Sequence, residues 1–309
     1  MSDRRGVSSV ADISLALVII IAAVGVFVAH LDTTETDHDP IGAAHTAETL
    51  GASTVEVSYS LEPVLETDSE HVPPADGELY DLSDLERSTH GSTMGHLARA
   101  ALANTRFPTA AGPVYPLAVG EGYGDRLDEQ LLVSLVGASF AANVTAVWEP
   151  FEGSSVRGTA TFGRPVPREA QRSVARTTVA SELPAAREEA LDAVNRSEGY
   201  RAVARVVAEA VVGGTLGDTQ RQLETDGVER AIAVSRFLRF ADAAGVGRGS
   251  LGGFDPSTVD AAAMTNSLVD GLTDRLVRGL RSFETPADAA GAVSTGEVTV
   301  AITTWTRER

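Results

Sequence analysis

Histidine, serine and clustered acids are the residues of this chain that could carry nucleophilic, acid–base or metal chemistry, and their spacing decides whether they do. His90, Ser92 and His96 lie close together, but a nucleophilic serine needs an oriented histidine and an acid, and no G-x-S-x-G turn frames Ser92. The two histidines are therefore expected as a solvated pair. Neither H-E-x-x-H nor two closely spaced histidines on one helical face occurs, Asp37-His38-Asp39 falls in an acidic stretch, and no EF-hand spacing is present. No metal site is expected. The run Gly247-Arg248-Gly249-Ser250-Leu251-Gly252 matches G-x-G-x-x-G, yet it follows an alanine-rich helical pattern instead of a strand, so dinucleotide binding is not expected. Asp255-Pro256 just beyond it reads as a helix entry. Gly120-Glu121-Gly122-Tyr123-Gly124 lacks a Walker lysine and reads as tight turns, and Glu188-Glu189 reads as solvated helix surface. The chain has no cysteine, which excludes disulfides, thiolate metal sites and cysteine nucleophiles. The expectation is a protein without catalytic residues or cofactor.

Composition narrows the partners. Of 309 residues, 43 are acidic and 25 basic, leaving a net charge of −18, so bulk attraction to nucleic acid is excluded. All 25 basic residues are arginine; the chain contains no lysine. A lysine-free, cysteine-free, strongly acidic chain rich in Ala, Val, Gly and Thr has the composition of a protein adapted to high salt, where ions screen the repulsion within a carboxylate surface. Apolar residues at 43% suffice to bury one or two cores of ordinary size.

The strongest single signal is at the N-terminus. Asp3-Arg4-Arg5-Gly6 precedes an apolar run from Ile13 to Leu31 that only Ser14, Gly25 and His30 interrupt. A helix of that length covers roughly 30 Å, the thickness of a bilayer's hydrocarbon core. Arg4 and Arg5 before the run, and Asp32, Glu35, Asp37 and Asp39 after it, put the N-terminus in the cytoplasm and the rest outside. A cleaved signal peptide would need a small residue where Phe27 stands before Ala29, which leaves a plain signal anchor and a prepilin-type leader. Gly25 and Ala29, four apart, with Ala22 and Ala23, give that helix a narrow small-residue surface for packing against another helix.

At Arg4-Arg5-Gly6-Val7-Ser8-Ser9-Val10 the sequence resembles the leaders of archaeal type IV pilin-like proteins. The arrangement as a whole resembles haloarchaeal membrane-anchored proteins that accompany pilus-type secretion ATPases. The resemblance implies processing between Gly6 and Val7, and a mature helix that begins at its apolar segment. Bacterial pilins carry Glu at the fifth mature position, whereas Ala11 stands there in this chain and Asp12 follows.

Beyond the anchor, the expected order is a leader over residues 1–6, a transmembrane helix over 7–31, an acidic stalk over 32–50 and an extracytoplasmic domain over 51–309. Within that domain, residues 53–61 alternate at a period of two and read as a strand, and residues 62–90 as loop. Helices are expected over 92–104 and 126–141, and a hairpin over 143–162 turning at Glu152-Gly153-Ser154-Ser155. Residues 167–281 read as mostly helical: Tyr200, Val203, Val207, Ala210 and Val211 line one face, and Leu268, Leu272, Leu276 and Leu280 repeat every four residues. The Gly-rich residues 245–253 separate the last two of those helices, and 297–305 alternate as a strand that could close the sheet begun by 53–61 and the central hairpin. The fold class is therefore α+β, a small antiparallel sheet with several helices in one domain. Two tripeptides fit N-glycosylation, Asn143-Val144-Thr145 and Asn195-Arg196-Ser197, with Asn195 the better acceptor because Asn143 begins a strand.

The reading that follows is a non-catalytic membrane-anchored surface protein, a minor subunit or assembly component of an archaeal pilus-like structure, whose partners are the lipid bilayer and other proteins. The alternative is a signal-anchored extracellular ligand-binding or hydrolytic domain. A convergent, half-buried polar set in a pocket would favour the alternative.

Overall fold

The computed structural model describes residues 42–61, 85–109, 112–116, 120–134, 140–196, 199–217, 219–223, 225, 228–247 and 261–306. Gly6, Val7, Gly25 and Ala29, with the leader and apolar segment they belong to, lie outside these. Among the described residues no helix is long and apolar enough to cross a membrane.

Strands β5 (Phe140–Trp148) and β8 (Glu297–Thr306) form the centre of the larger sheet, because each alternates buried and half-exposed residues along its length. They pair antiparallel from Phe140↔Thr306 to Val147↔Thr299. On one side β6 (Arg157–Gly163) completes the expected hairpin with β5, Trp148↔Gly158 to Asn143↔Gly163. Beyond β6 come β3 (Thr105–Thr109) and β4 (Gly112–Val114), and on the far side of β8 lies β7 (Arg172–Ala180), giving the order β4-β3-β6-β5-β8-β7. Strands β1 (Thr54–Ser60) and β2 (Glu86–Ser92) pair only with each other, in a separate two-stranded sheet. The fold is α+β with antiparallel sheets, as expected, and β8 joins the central hairpin as expected, but residues 53–61 lie in the separate sheet.

Helix α1 (Ala43–Ala52) packs on β7 and β8, burying Ala43, Thr46 and Leu50. The division between units falls at Gly42/Ala43. The body therefore starts before residue 51, because this apolar stripe draws residues 43–52 out of the expected stalk and onto the sheet. Helix α2 (Thr93–Ala103) is entered through Ser92, whose hydroxyl accepts the Gly95 N–H at 3.1 Å, and it crosses β5 to β8. Its seat is Gly158: a Cβ there would lie 1.9 Å from the Ala101 carbonyl oxygen, so helix and strand touch backbone to backbone.

Helix α3 (Gly120–Ser134) runs through the glycines expected to form turns. Tyr123, Leu127 and Leu131 recur every four residues, and each is at most 2% exposed, so burial of this stripe outweighs the helix cost of glycine. The remaining helices are α4 (Arg187–Arg196), α5 (Tyr200–Leu216), α6 (Thr219–Leu223), α7 (Val228–Ala244), α8 (Ala261–Leu280) and α9 (Pro286–Gly291). The Leu268, Leu272, Leu276, Leu280 stripe of α8 is buried and packs on α5, which buries Val203, Val207 and Val211. Two strands depart from expectation. Within residues 167–281, β7 forms where helix was expected, because Val174, Thr177, Thr178 and Val179 favour extended backbone and β8 offers a free edge. β2 holds no apolar side chain and owes its place to backbone pairing with β1.

Replacing Gly158 by alanine should lower stability by about 1–3 kcal/mol, because α2 must lift off the sheet. Denaturant unfolding at constant ionic strength measures this, and an unchanged midpoint would mean α2 is not held there.

Candidate functional site

Gly158 and the Ser92 cap fix the register of α2, and that register turns Arg99 toward the corner between β7 and α4. There Arg99 donates to both carboxylate oxygens of Glu182, Nη2 to Oε1 at 2.5 Å and Nε to Oε2 at 3.3 Å, and Nη1 donates to Thr89 Oγ1 at 2.6 Å. Glu182 raises the Arg99 pKa above its ordinary range by hydrogen bonding to the charged form. Glu182 itself has φ 66°, and among the described residues it alone, apart from glycines, has positive φ. Such a backbone persists only where its surroundings hold it. They do so through Ser181: its N–H donates to Gly296 O at 3.0 Å, its hydroxyl donates to Thr295 O at 2.7 Å, and its oxygen accepts the Leu183 N–H at 3.2 Å.

Behind Arg99 lies a buried polar pair. His96 Nε2–H donates to the Val55 carbonyl at 3.1 Å, so Nδ1 is the acceptor for the Tyr123 hydroxyl. Burial lowers the His96 pKa below 6.5 and raises that of Tyr123, so both stay neutral. Tyr59 meets the Tyr123 ring edge-on at 5.2 Å.

Two adjoining cavities open here. The first, about 270 Å³, has Arg87, Arg99, Arg236 and Arg239 in its walls with Tyr59 and Tyr123. The second, about 310 Å³, shares Arg99, Ala103, Pro116 and Arg236 with the first, and is otherwise walled mainly by apolar groups such as Phe107, Trp148, Val211 and Phe240. Among the described residues the first cavity holds one acid, Glu229, against four arginines, in a chain whose net charge is −18. Arg236 is the sharpest case: desolvation depresses its pKa, and among the described residues it has neither a hydrogen bond nor an ion pair. A half-buried guanidinium without a carboxylate is costly, and its planar fork fits a carboxylate or phosphate.

The sequence expectations are redistributed. His90 is exposed on β2, Ser92 is a helix cap, and His96 is 2% exposed, so the expected solvated pair is corrected: α2 carries His96 inward under β1. Among the described residues no cluster of His, Asp and Glu could hold a metal ion. Glu188 and Glu189 are exposed on α4. Asn143 is half-buried inside β5, its amide nitrogen donating to Arg164 O at 3.0 Å, whereas Asn195 is exposed in the last turn of α4. The residues that sequence reasoning passed over are Arg99, Glu182 and Arg236. Only Arg236 left a signal: it stands four residues from both Ile232 and Phe240, an arginine within an apolar stripe.

Fold and cleft together define an α+β protein with an arginine-walled cavity at the junction of sheet and helices. The chain belongs to a family of unknown function, DUF7284, which matches residues 11–305. No curated protein and no solved structure matches it.

The His96 shift sets a pH dependence. Because its folded pKa lies below 6.5, the unfolded chain binds the proton more readily, so the stability due to neutral His96 is full above pH 6.5 and is lost as pH falls through the folded pKa. Unfolding midpoints should drop between pH 7.5 and 5, with a shallower drop in His96→Gln. Equal slopes in the two proteins would contradict the assignment. Tyr123→Phe should cost about 1–3 kcal/mol at pH 7.5, since Nδ1 loses its donor in a buried place.

Proposed function

We propose that this chain is a membrane-anchored, non-catalytic protein whose extracytoplasmic body captures an anionic ligand in the arginine-walled cleft. The observation that carries the reading is Arg236, a half-buried cation that lines both cavities and has no ion-pair partner among the described residues. The apolar run from Ile13 to Leu31, flanked by Arg4 and Arg5 on one side and acids on the other, supports the anchor and its orientation. Binding without chemistry is supported by His96, which spends both ring nitrogens on internal hydrogen bonds and so offers no free base.

A second reading, a minor subunit of a pilus-like structure, is favoured by Arg4-Arg5-Gly6-Val7 at the entry to the apolar run. The two are compatible if the anion belongs to a neighbouring component.

Titration calorimetry of the full chain in nonionic detergent, with acetate, octanoate, inorganic phosphate and octyl phosphate, tests the first reading. At least one anion should bind, and Arg236→Met should weaken it about 30-fold or more, as for loss of one partner of a desolvated charge pair. Absence of binding by all four, or indifference to Arg236→Met, would end it. The mature N-terminus, read by peptide mapping, tests the second: a start at Val7 supports processing and assembly, and retention of residues 1–6 leaves a plain anchor.

A further inference from the structure

The two cavities meet at the same two arginines, Arg99 and Arg236. The first mixes arginines, tyrosines and polar groups with Leu61, Ala103, Pro116 and Ile232. Among the described residues the charges of the second are Arg99, Glu182 and Arg236, and Arg99 and Glu182 neutralise one another across a two-point ion pair. Among those residues, what remains is one cation without an ion-pair partner at the edge of an apolar space. That space is prebuilt. Phe107 and Phe240 pack edge to face at 5.6 Å, and Trp148 is fixed by its indole N–H, which donates to Thr295 O at 2.9 Å. With the N–H so engaged, the small part of the indole that reaches the cavity is apolar, Trp148 being 1% exposed.

We propose that the ligand is an amphiphile: a carboxylate or phosphate head seated on Arg236 beside Arg99, with a hydrocarbon or aromatic body in the cavity walled by Phe107, Trp148, Val211 and Phe240. This rests on the reading of the cleft as an anion seat and adds the class of anion. A bare oxyanion would satisfy Arg236 but leave the apolar surface of a cleft of about 310 Å³ in contact with water, and covering that surface is what a hydrocarbon body adds. The volume lies at the lower end of small-molecule sites, about 300–1,000 Å³, so the body is short: a medium-length chain or a single ring. Because Arg99 is already matched by Glu182, one negative charge on the head is enough.

The test uses the full chain in nonionic detergent and reads Trp148. The sequence has two tryptophans, Trp148 and Trp305, so Trp305→Phe leaves Trp148 as the only reporter. Saturable quenching of Trp148 by 8-bromooctanoate, relieved by octyl phosphate, is expected. Octanoate should bind about tenfold or more tighter than acetate, and octyl phosphate likewise against inorganic phosphate, since each buried methylene adds several-fold. Thr215→Phe, which narrows the apolar cavity, should erase that advantage and leave acetate binding in place, while Arg236→Met weakens all four. Quenching needs no cavity variant, so the idea stays open to refutation if Thr215→Phe folds poorly. Equal affinity for long and short anions, with Trp148 unquenched, would overturn the amphiphile and leave an anion seat. Failure of every probe to bind would overturn both.

Discussion

The frame turns on one residue, Thr295, fully buried just ahead of β8. Its carbonyl accepts the Trp148 indole N–H from the end of β5 and the Ser181 hydroxyl from the end of β7. Its hydroxyl donates to Pro184 O at 2.7 Å and accepts the Ala186 N–H at 3.1 Å, ahead of α4. Strands distant in sequence and the first helix after β7 are thus tied to a single point. Each such bond adds about 1 kcal/mol net, and an orphaned buried partner costs more. The knot also has a local consequence. With Ser181 and Pro184 held, Glu182 between them is kept in the left-handed region, and its carboxylate is delivered to Arg99.

Charge explains why that delivery matters. A chain of net charge −18 repels anions at long range, but salt screens charges within about 10 Å at 0.1 M and closer still at higher concentration. Inside that distance arginines outnumber acids among the described residues that line the cleft. Arg99 is neutralised by Glu182, and α7 brings Arg236 to the same place with no acid beside it among the described residues. The backbone contact at Gly158 holds α2, and therefore Arg99, at a fixed distance from the sheet. The contacts that hold the frame thus also set the place of Arg99 in the cleft.

How much of this was legible in the sequence depends on where each element gets its stability. The β5–β6 hairpin, β8, α2 with its Ser92 cap and the leucine stripe of α8 carry their own pattern, because each buries one regular face. β2 and β7 do not. β2 has no apolar side chain, and β7 mixes arginine and alanine among its β-branched residues; both exist because a partner strand supplies hydrogen bonds. The first turns of α3 hide behind glycines, and α1 behind the acidic composition that precedes it. In the site, Arg236 shows as a cation in an apolar stripe. The Arg99–Glu182 pair cannot be read, since it joins positions 83 residues apart through a strained corner that only the Thr295 knot creates.

Native mass spectrometry of the protein extracted from its own membranes tests the central claim most directly, comparing the unsubstituted chain with Arg236→Met. The account predicts a small anionic adduct on the unsubstituted chain that is missing from Arg236→Met. Identical spectra, both bare or both carrying the same adduct, would contradict it.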